Sequence, residues 1–200
     1  MAARLPQGVH AVLKAGRIGI AGAGGLGSNV AVMLARAGVG KLLVVDYDIV
    51  EPSNLNRQHY SVKHLSMPKT EALRMQLADI NPYVKVAVCN SKLAAENAAA
   101  VFDGYPIVVE ALDDPACKAE IITSLLAHGG FKVVAASGIA GYGGANLITT
   151  QRRLENLYVC GDLESCTDGG AGLLAPRVAI CAGHQANMAV RLLLGLESVG

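Results

Sequence analysis

Short apolar runs alternate with longer stretches of helical periodicity along this chain, and that alternation predicts its architecture. Residues 17–21 (RIGIA) form an apolar run closed by glycines, the pattern of a buried strand. Residues 25–37 have helical character and stop at Gly38-Val39-Gly40, a C-terminal stop signal. A second strand, 42–45, ends at Asp46. Residues 68–80 predict a helix, because Leu73, Leu77 and Ile80 share one face and Asn81-Pro82 ends it. There follow a strand at 84–88, an alanine-rich helix at 93–102 and a strand at 107–110. A helix at 116–128, with Ala119, Ile122 and Leu126 on one side, leads to a strand at 133–136 and a weaker one at 147–150. A long helix over 176–194 closes the chain. Segments 48–67 and 151–175 lack a regular pattern, and long connections of that kind are as a rule functional or mobile.

Strand and helix alternating throughout predict an α/β fold: a Rossmann-like, doubly wound, mostly parallel sheet with helices on both faces. No repeat or boundary divides the chain, so residues 1–200 are expected to form one domain. Ligands of such sheets bind beyond the carboxyl ends of the strands.

Composition removes several function classes. The chain is 52% hydrophobic and 16% charged, which excludes disorder. With no Trp and only two Phe, its core must be aliphatic and alanine-rich. A net charge of +1 gives neither a nucleic-acid footprint nor a polybasic membrane patch. The five cysteines, Cys89, Cys117, Cys160, Cys166 and Cys181, contain no C-x-x-C pair, so neither a disulfide framework nor zinc is expected. Without a signal peptide, a reducing cytoplasm is the expectation. The apolar stretch 171–194 is interrupted by Arg177, His184, Gln185, Asn187 and Arg191, which predicts a buried helix rather than a membrane span.

Candidate chemistry begins at Gly22-Ala23-Gly24-Gly25-Leu26-Gly27-Ser28, between the first strand and the first predicted helix. Gly22, Gly24 and Gly27 match G-x-G-x-x-G, a tight turn that admits phosphate to a helix N-terminus with free N–H groups. Asp46, at the end of the second strand, is placed to accept hydrogen bonds from ribose hydroxyls. These four residues suit NAD as well as ATP. The discriminating segment follows: Asp48, Ser53-Asn54-Leu55-Asn56-Arg57-Gln58, and Lys69 at a helix start. Chemistry at a triphosphate needs cations to hold phosphate charge and the leaving pyrophosphate. Arg57 and Lys69 would serve if this loop folds back over the glycine turn. A lysine at a helix N-terminus opposes the helix dipole, which points to an anion held there. As isolated residues both would be solvated surface charges.

G-x-G-G-L-G-S, the D-Y-D pair, S-N-L-N-R-Q and P-K at these spacings resemble the ubiquitin-activating-like adenylyltransferases, the family of the ThiF, MoeB and HesA proteins. The resemblance runs from about Arg17 to Leu194 and is nearest to short ThiF-type proteins of thiamine biosynthesis. It implies ATP-dependent adenylation of the C-terminal glycine carboxylate of a small ubiquitin-like (ThiS-like) sulfur carrier, with release of pyrophosphate. Other carriers, of the molybdopterin or cysteine pathways, stay open. The resemblance places Gly25 at the phosphates, Asp46 at the ribose, and Asn54, Arg57 and Lys69 on the phosphates. Gly22, Gly24, Gly27, Asp48, Ser53, Gln58 and Asp114 belong to the same ATP site. Asp113 is the implied Mg²⁺ ligand, and Asp114 stands where the family usually has Asn; either carboxylate could bind the metal, which takes one or two carboxylates beside phosphate oxygens and waters. Cys166 precedes a Leu173-Leu174-Ala175-Pro176 turn, resembling a cysteine that carries the acyl group in some relatives, although the spacing differs by a residue or two. Cys160 is a poorer candidate, and Cys89, Cys117 and Cys181 are expected in the core. Relatives are usually homodimers, some with an N-terminal arginine reaching the partner's ATP, and Arg4 is the sole arginine before the first strand. The small-residue face of Ala182, Gly183, Ala186 and Ala189 allows close helix packing, on a second copy or on the chain's own sheet. Two other functions compete: an NAD-dependent oxidoreductase, which leaves Asn54, Arg57, Lys69 and Asp113 unused, and a nucleotide-binding protein without turnover.

Overall fold

The computed structural model describes residues 5–166 and 172–199. The order is α1 (Val9–Ala15), β1 (Arg17–Ala21), α2 (Gly25–Ala37), β2 (Lys41–Val45), α3 (Lys69–Ile80), β3 (Lys85–Cys89), α4 (Ala95–Val101) and β4 (Ile107–Glu110). Then come α5 (Pro115–His128), β5 (Lys132–Ala136), β6 (Thr149–Leu154), β7 (Leu157–Gly161) and α6 (Ala175–Leu193). The seven strands form one sheet in the order β3-β2-β1-β4-β5-β7-β6. Neighbours are parallel throughout, except that β6 runs antiparallel to β7.

Alternation along the strands divides the interior into two cores. Ile18 and Ile20 of β1, Leu42 and Val44 of β2, and Ile107 and Val109 of β4 face α2, α3 and α6 through Val30, Leu34, Leu73, Leu77, Val178 and Cys181. Ala21, Leu43, Val45, Val108 and Val133 face the other way, onto Ala98 and Phe102 at α4 and Ile121 and Leu125 of α5. Each fully buried aliphatic side chain contributes about 1.5–3 kcal/mol, which is why continuous apolar strands specify a two-sided sheet. Gly19 is required by close packing: a Cβ there would lie 2.4 Å from the Phe102 ring.

A hairpin and a helix depart from the sequence expectation. Part of the segment expected to be irregular, 151–175, is a β-hairpin: β6 extends past the predicted 147–150 strand, and Glu155-Asn156 turns it into β7. Arg152 and Arg153 break the apolar pattern because β6 is an edge strand, with most of its residues facing solvent. The helix α1 was not expected; it has a Gly8 N-cap without a side-chain bond and buries only Leu13, so its apolar periodicity is faint.

The long final helix packs inside the domain, and among the described residues no helix is long and apolar enough to cross a membrane. Of its small face, Ala182, Ala186 and Ala189 are buried in the chain's own core, whereas Gly183 is half-buried with open space at its Cβ position. The strand order reverses between β1 and β4, so the crevice expected to take a ligand opens above their carboxyl ends, between the turns 22–24 and 111–114.

Candidate functional site

The glycine turn is shaped by three different constraints. Gly22 has φ +96°, and a Cβ there would meet the Ala111 carbonyl oxygen at 2.6 Å. A Cβ on Gly27 would lie 1.8 Å from the Gly22 carbonyl oxygen, so the first turn of α2 can sit on the loop only as glycine. Gly24 is open: the nearest atom to its Cβ position is Gln58 Nε2, at 3.8 Å. The turn is crowded beneath and free above, the arrangement that brings an anion to the N-terminus of α2.

The loop after β2 does fold back over this turn. The Arg57 stem lies across Gly25, with Cγ 3.6 Å from the Cβ position there. Asn29 Nδ2 donates to the Gly25 carbonyl (2.7 Å) and to the Arg57 carbonyl (3.1 Å), while the His59 N–H donates to Ser28 Oγ (3.0 Å). Arg57 Nη1 donates to the Ser53 carbonyl (3.0 Å) and Asn56 Oδ1 (2.8 Å), and its Nε is buried without a partner. Gln58 Oε1 is likewise buried and unpartnered. Asn54 shapes the loop: its Oδ1 accepts the Glu51 N–H at 3.0 Å, closing the one-turn helix Pro52–Asn54. Ser53 is exposed.

Beside the loop, Asp46 accepts the Ala23 N–H on Oδ2 (2.6 Å) and the Asp48 N–H on Oδ1 (2.8 Å). Burial pushes the Asp46 carboxyl above its ordinary value, against those two N–H groups and the Lys69 charge. Lys69 is buried and donates to Asp48 Oδ2 at 2.7 Å. The anion that the helix-start lysine points to is thus, in this structure, Asp48. Tyr60, a residue without a sequence motif of its own, places its hydroxyl 2.8 Å from the Ala23 carbonyl.

Across the crevice, the turn after β4 is braced by a buried ion pair. Glu110, fully buried, accepts from Lys118 Nζ at 2.7 and 2.8 Å and from the Leu112 N–H at 2.7 Å. Burial pushes the Glu110 carboxyl up, and the Lys118 ammonium pulls it back. Asp113 stands exposed at the tip, its carboxylate without a protein partner among the described residues. Asp114 caps α5, accepting the Cys117 N–H at 2.7 Å. Among the described residues no three His, Cys, Asp or Glu side chains gather as a metal site.

The N-terminus of α6 completes the surroundings, with Val178 Cγ1 3.2 Å from the Gly25 Cβ position. Arg177 is buried, pairs with Asp162 and donates to the Gly143 carbonyl at 2.7 Å. Burial raises the Asp162 carboxyl, but the Ser165 and Glu164 N–H groups and Arg177 outweigh it and hold the group below its ordinary value. Cys166 is exposed, Cys160 and Cys181 are buried, and Cys89 and Cys117 are half-buried. Burial pushes the Cys160 thiol up to about 11. Residues 167–171, next to Cys166, and Arg4 lie outside the described residues.

Gly22, Gly24, Gly25, Gly27, Asp46, Asp48, Asn54, Arg57, Gln58 and Lys69 therefore come together around one turn, and Asp113 stands exposed on the loop after β4, whose residues Ala111 and Leu112 border Gly22. Tyr60, Glu110, Lys118 and Val178 were not singled out by sequence. Of these, only Glu110 carried a signal, as a carboxylate ending an otherwise apolar strand.

Comparison with known proteins places this geometry. The chain is 34% identical over 190 residues to the molybdopterin-synthase adenylyltransferase of Haemophilus influenzae, covering 91% of this chain and 76% of that one. It is 32% identical over 192 residues to the adenylyltransferase and sulfurtransferase UBA4 of Yarrowia lipolytica, covering 93% of this chain and 48% of the relative. The chain thus spans about half the length of the UBA4 relatives it matches. Escherichia coli tRNA N6-threonylcarbamoyladenosine dehydratase, TcdA, solved with ATP, has the same fold, with a TM-score of 0.86 at 20% identity over 94% of this chain and 90% of that one. The ThiF family matches residues 2–199, a span that holds the glycine turn, the folded-back loop and the β4 turn alike, and the chain belongs to that family.

Proposed function

We propose that this chain uses ATP to adenylate the C-terminal glycine carboxylate of a small ubiquitin-like sulfur-carrier protein. The observation that carries this is the Arg57 stem lying across Gly25 at the N-terminus of α2, with a buried guanidinium N–H left unpartnered. A donor buried without an acceptor is costly unless a ligand supplies one. The names of the relatives, two of them adenylyltransferases, support the same reaction class.

In this proposal the N-terminus of α2 and Arg57 hold the phosphates, and Asp46 retains lone pairs for the ribose. Lys69 exchanges Asp48 for a phosphate oxygen, or shares its three donors between them. Asn54 and Gln58 set the loop that carries Arg57. The carrier's carboxylate is already ionised at neutral pH, so it attacks the α-phosphorus without a general base, and pyrophosphate leaves. Catalysis is then positioning and charge neutralisation. Asp113, exposed and unpartnered, fits a Mg²⁺ ion that takes most of its ligands from phosphate and water, and Asp114 has one oxygen to spare beside its cap. Such an ion neutralises phosphate charge.

The carrier is proposed to be ThiS-like, acting in thiazole synthesis, on motif resemblance; the Haemophilus influenzae relative supports a molybdopterin carrier instead. Cys166, which is exposed, is the proposed acyl acceptor if a covalent step follows. A homodimer and a cytoplasmic location belong to the same proposal. The test is mass spectrometry of candidate carriers ending in Gly-Gly, incubated with the protein and ATP–Mg²⁺. A mass increase of one AMP on the carrier terminus supports the proposal. No adduct and no ATP–pyrophosphate exchange with any carrier would reject it in favour of a nucleotide-binding protein without turnover.

A further inference from the structure

A closed circuit of hydrogen bonds joins the glycine turn to the start of α3. The Ala23 N–H donates to Asp46 Oδ2 at 2.6 Å, and Asp46 Oδ1 accepts the Asp48 N–H at 2.8 Å. Asp48 takes the Lys69 ammonium on its carboxylate at 2.7 Å and the Lys69 N–H on its carbonyl at 2.9 Å. Tyr60 closes the circuit, its hydroxyl 2.8 Å from the Ala23 carbonyl and 3.3 Å from the Lys69 carbonyl. Both of those are acceptors and the hydroxyl has one proton, so the shorter bond, to Ala23, takes most of it.

Every other side chain in this circuit has a part in the ATP site proposed above, whereas Tyr60 has none. It is buried, and its ring packs edge-on against His64. Phenylalanine would fill the same space, so packing alone does not call for the hydroxyl. The consequence of the hydroxyl lies in the peptide unit it holds. The Ala23 carbonyl and the Gly24 N–H belong to one planar trans peptide, so they point in opposite directions. Pinning the carbonyl toward Tyr60 turns the Gly24 N–H away from it. That N–H has no acceptor among the described residues, and the space at the Gly24 Cβ position is open. With Gly24 free of a side chain, this peptide would otherwise rotate at little cost.

We infer that Tyr60 is a positioning residue that locks the Ala23–Gly24 peptide so that the Gly24 N–H serves as a fixed phosphate donor. The inference rests on ATP binding at the glycine turn. Its specific consequence is that Tyr60 matters for the phosphates of the nucleotide and not for the nucleoside.

Tyr60→Phe is the test, read by calorimetric binding of ATP and of adenosine and by ATP–pyrophosphate exchange. The dissociation constant and KM for ATP should each rise about tenfold, the loss expected for one hydrogen bond to a charged group, with adenosine affinity unchanged. Unchanged ATP affinity overturns the inference. Equal weakening of ATP and adenosine also overturns it, because the hydroxyl then supports the fold at large and not one peptide plane. If the unaltered protein binds no ATP, the proposed function itself falls, an outcome distinct from either of these.

Discussion

Removing the lysine that neutralises Glu110 should destabilise the protein in a way that depends on pH. In Lys118→Met the Glu110 carboxylate, with none of its side chain exposed, keeps backbone N–H donors such as Leu112 and loses its only counter-ion among the described residues. Breaking a buried pair by removing one partner costs about 3–5 kcal/mol. Lys118 retains 19% exposure, which places the expected loss near the lower end, about 3 kcal/mol at pH 8. Burial already raises the folded-state pKa of Glu110, and losing Lys118 raises it further. For a raised carboxyl, the folded state gains protons more readily than the unfolded state. The variant should therefore be nearest to the parent below about pH 4.5 and fall behind as pH rises through the folded-state value. The assay is urea unfolding at pH 5 and pH 8; with m of roughly 2 kcal/mol/M, the midpoint should drop by about 1.5 M at pH 8 and by less at pH 5. Adding Glu110→Gln should restore much of the loss. A deficit under about 1 kcal/mol, or one equal at both pH values, would refute the picture of a carboxylate held in the core by a single ammonium.

Arg57→Ala and Lys69→Ala should each lower ATP–pyrophosphate exchange by about 100-fold or more while leaving the circular dichroism spectrum intact; full exchange in both would remove these residues from the site. Gly27→Ala should abolish ATP binding in a titration, since its Cβ would lie 1.8 Å from the Gly22 carbonyl oxygen, whereas Gly183→Ala, with nothing within 4 Å, should raise stability by about 0.5–1 kcal/mol in the same unfolding assay. Asp162→Ala leaves Arg177 buried without its carboxylate, with only the Gly143 and Gly144 carbonyls as acceptors, and should cost about 3 kcal/mol at pH 7. Because the Asp162 carboxyl is held below its ordinary value, the Asp162 share of the parent's stability is fully present above about pH 4 and is lost as pH falls through the folded-state value, so parent and variant should converge in acid unfolding.

What could be read in the sequence was whatever depends on local pattern. The central strands are buried on both faces, so their apolar runs stand out, and β1 and β4 occupy the predicted residues. The glycine turn was legible because steric demands at Gly22 and Gly27 leave no other residue type. The β6–β7 hairpin was legible only in part: a strand was expected at 147–150, but β6 runs on to Leu154 through polar residues because only one neighbour and one face restrain it, and β7 follows it too closely to be read alone. In the site, Arg57, Lys69 and their partners Ser53, Asn56 and Asp48 all lie in recognisable motifs, but the pairings between them are not written in the sequence. Asp48 was expected at a nucleotide, and in this structure it neutralises Lys69. Tyr60 and Lys118 act through contacts 37 and 8 residues away along the chain, which neither period nor spacing encodes. The small face of α6 showed how one pattern serves two outcomes, since close packing on a neighbouring copy and on the chain's own sheet require the same residues.

The most direct check is a crystal structure of the protein with a non-hydrolysable ATP analogue. The phosphates should lie over Gly24 and Gly25 at the start of α2, with Arg57 and Lys69 reaching them and the Gly24 N–H donating to one. Phosphates located elsewhere, with Arg57 still bound only to Ser53 and Asn56, would contradict the account.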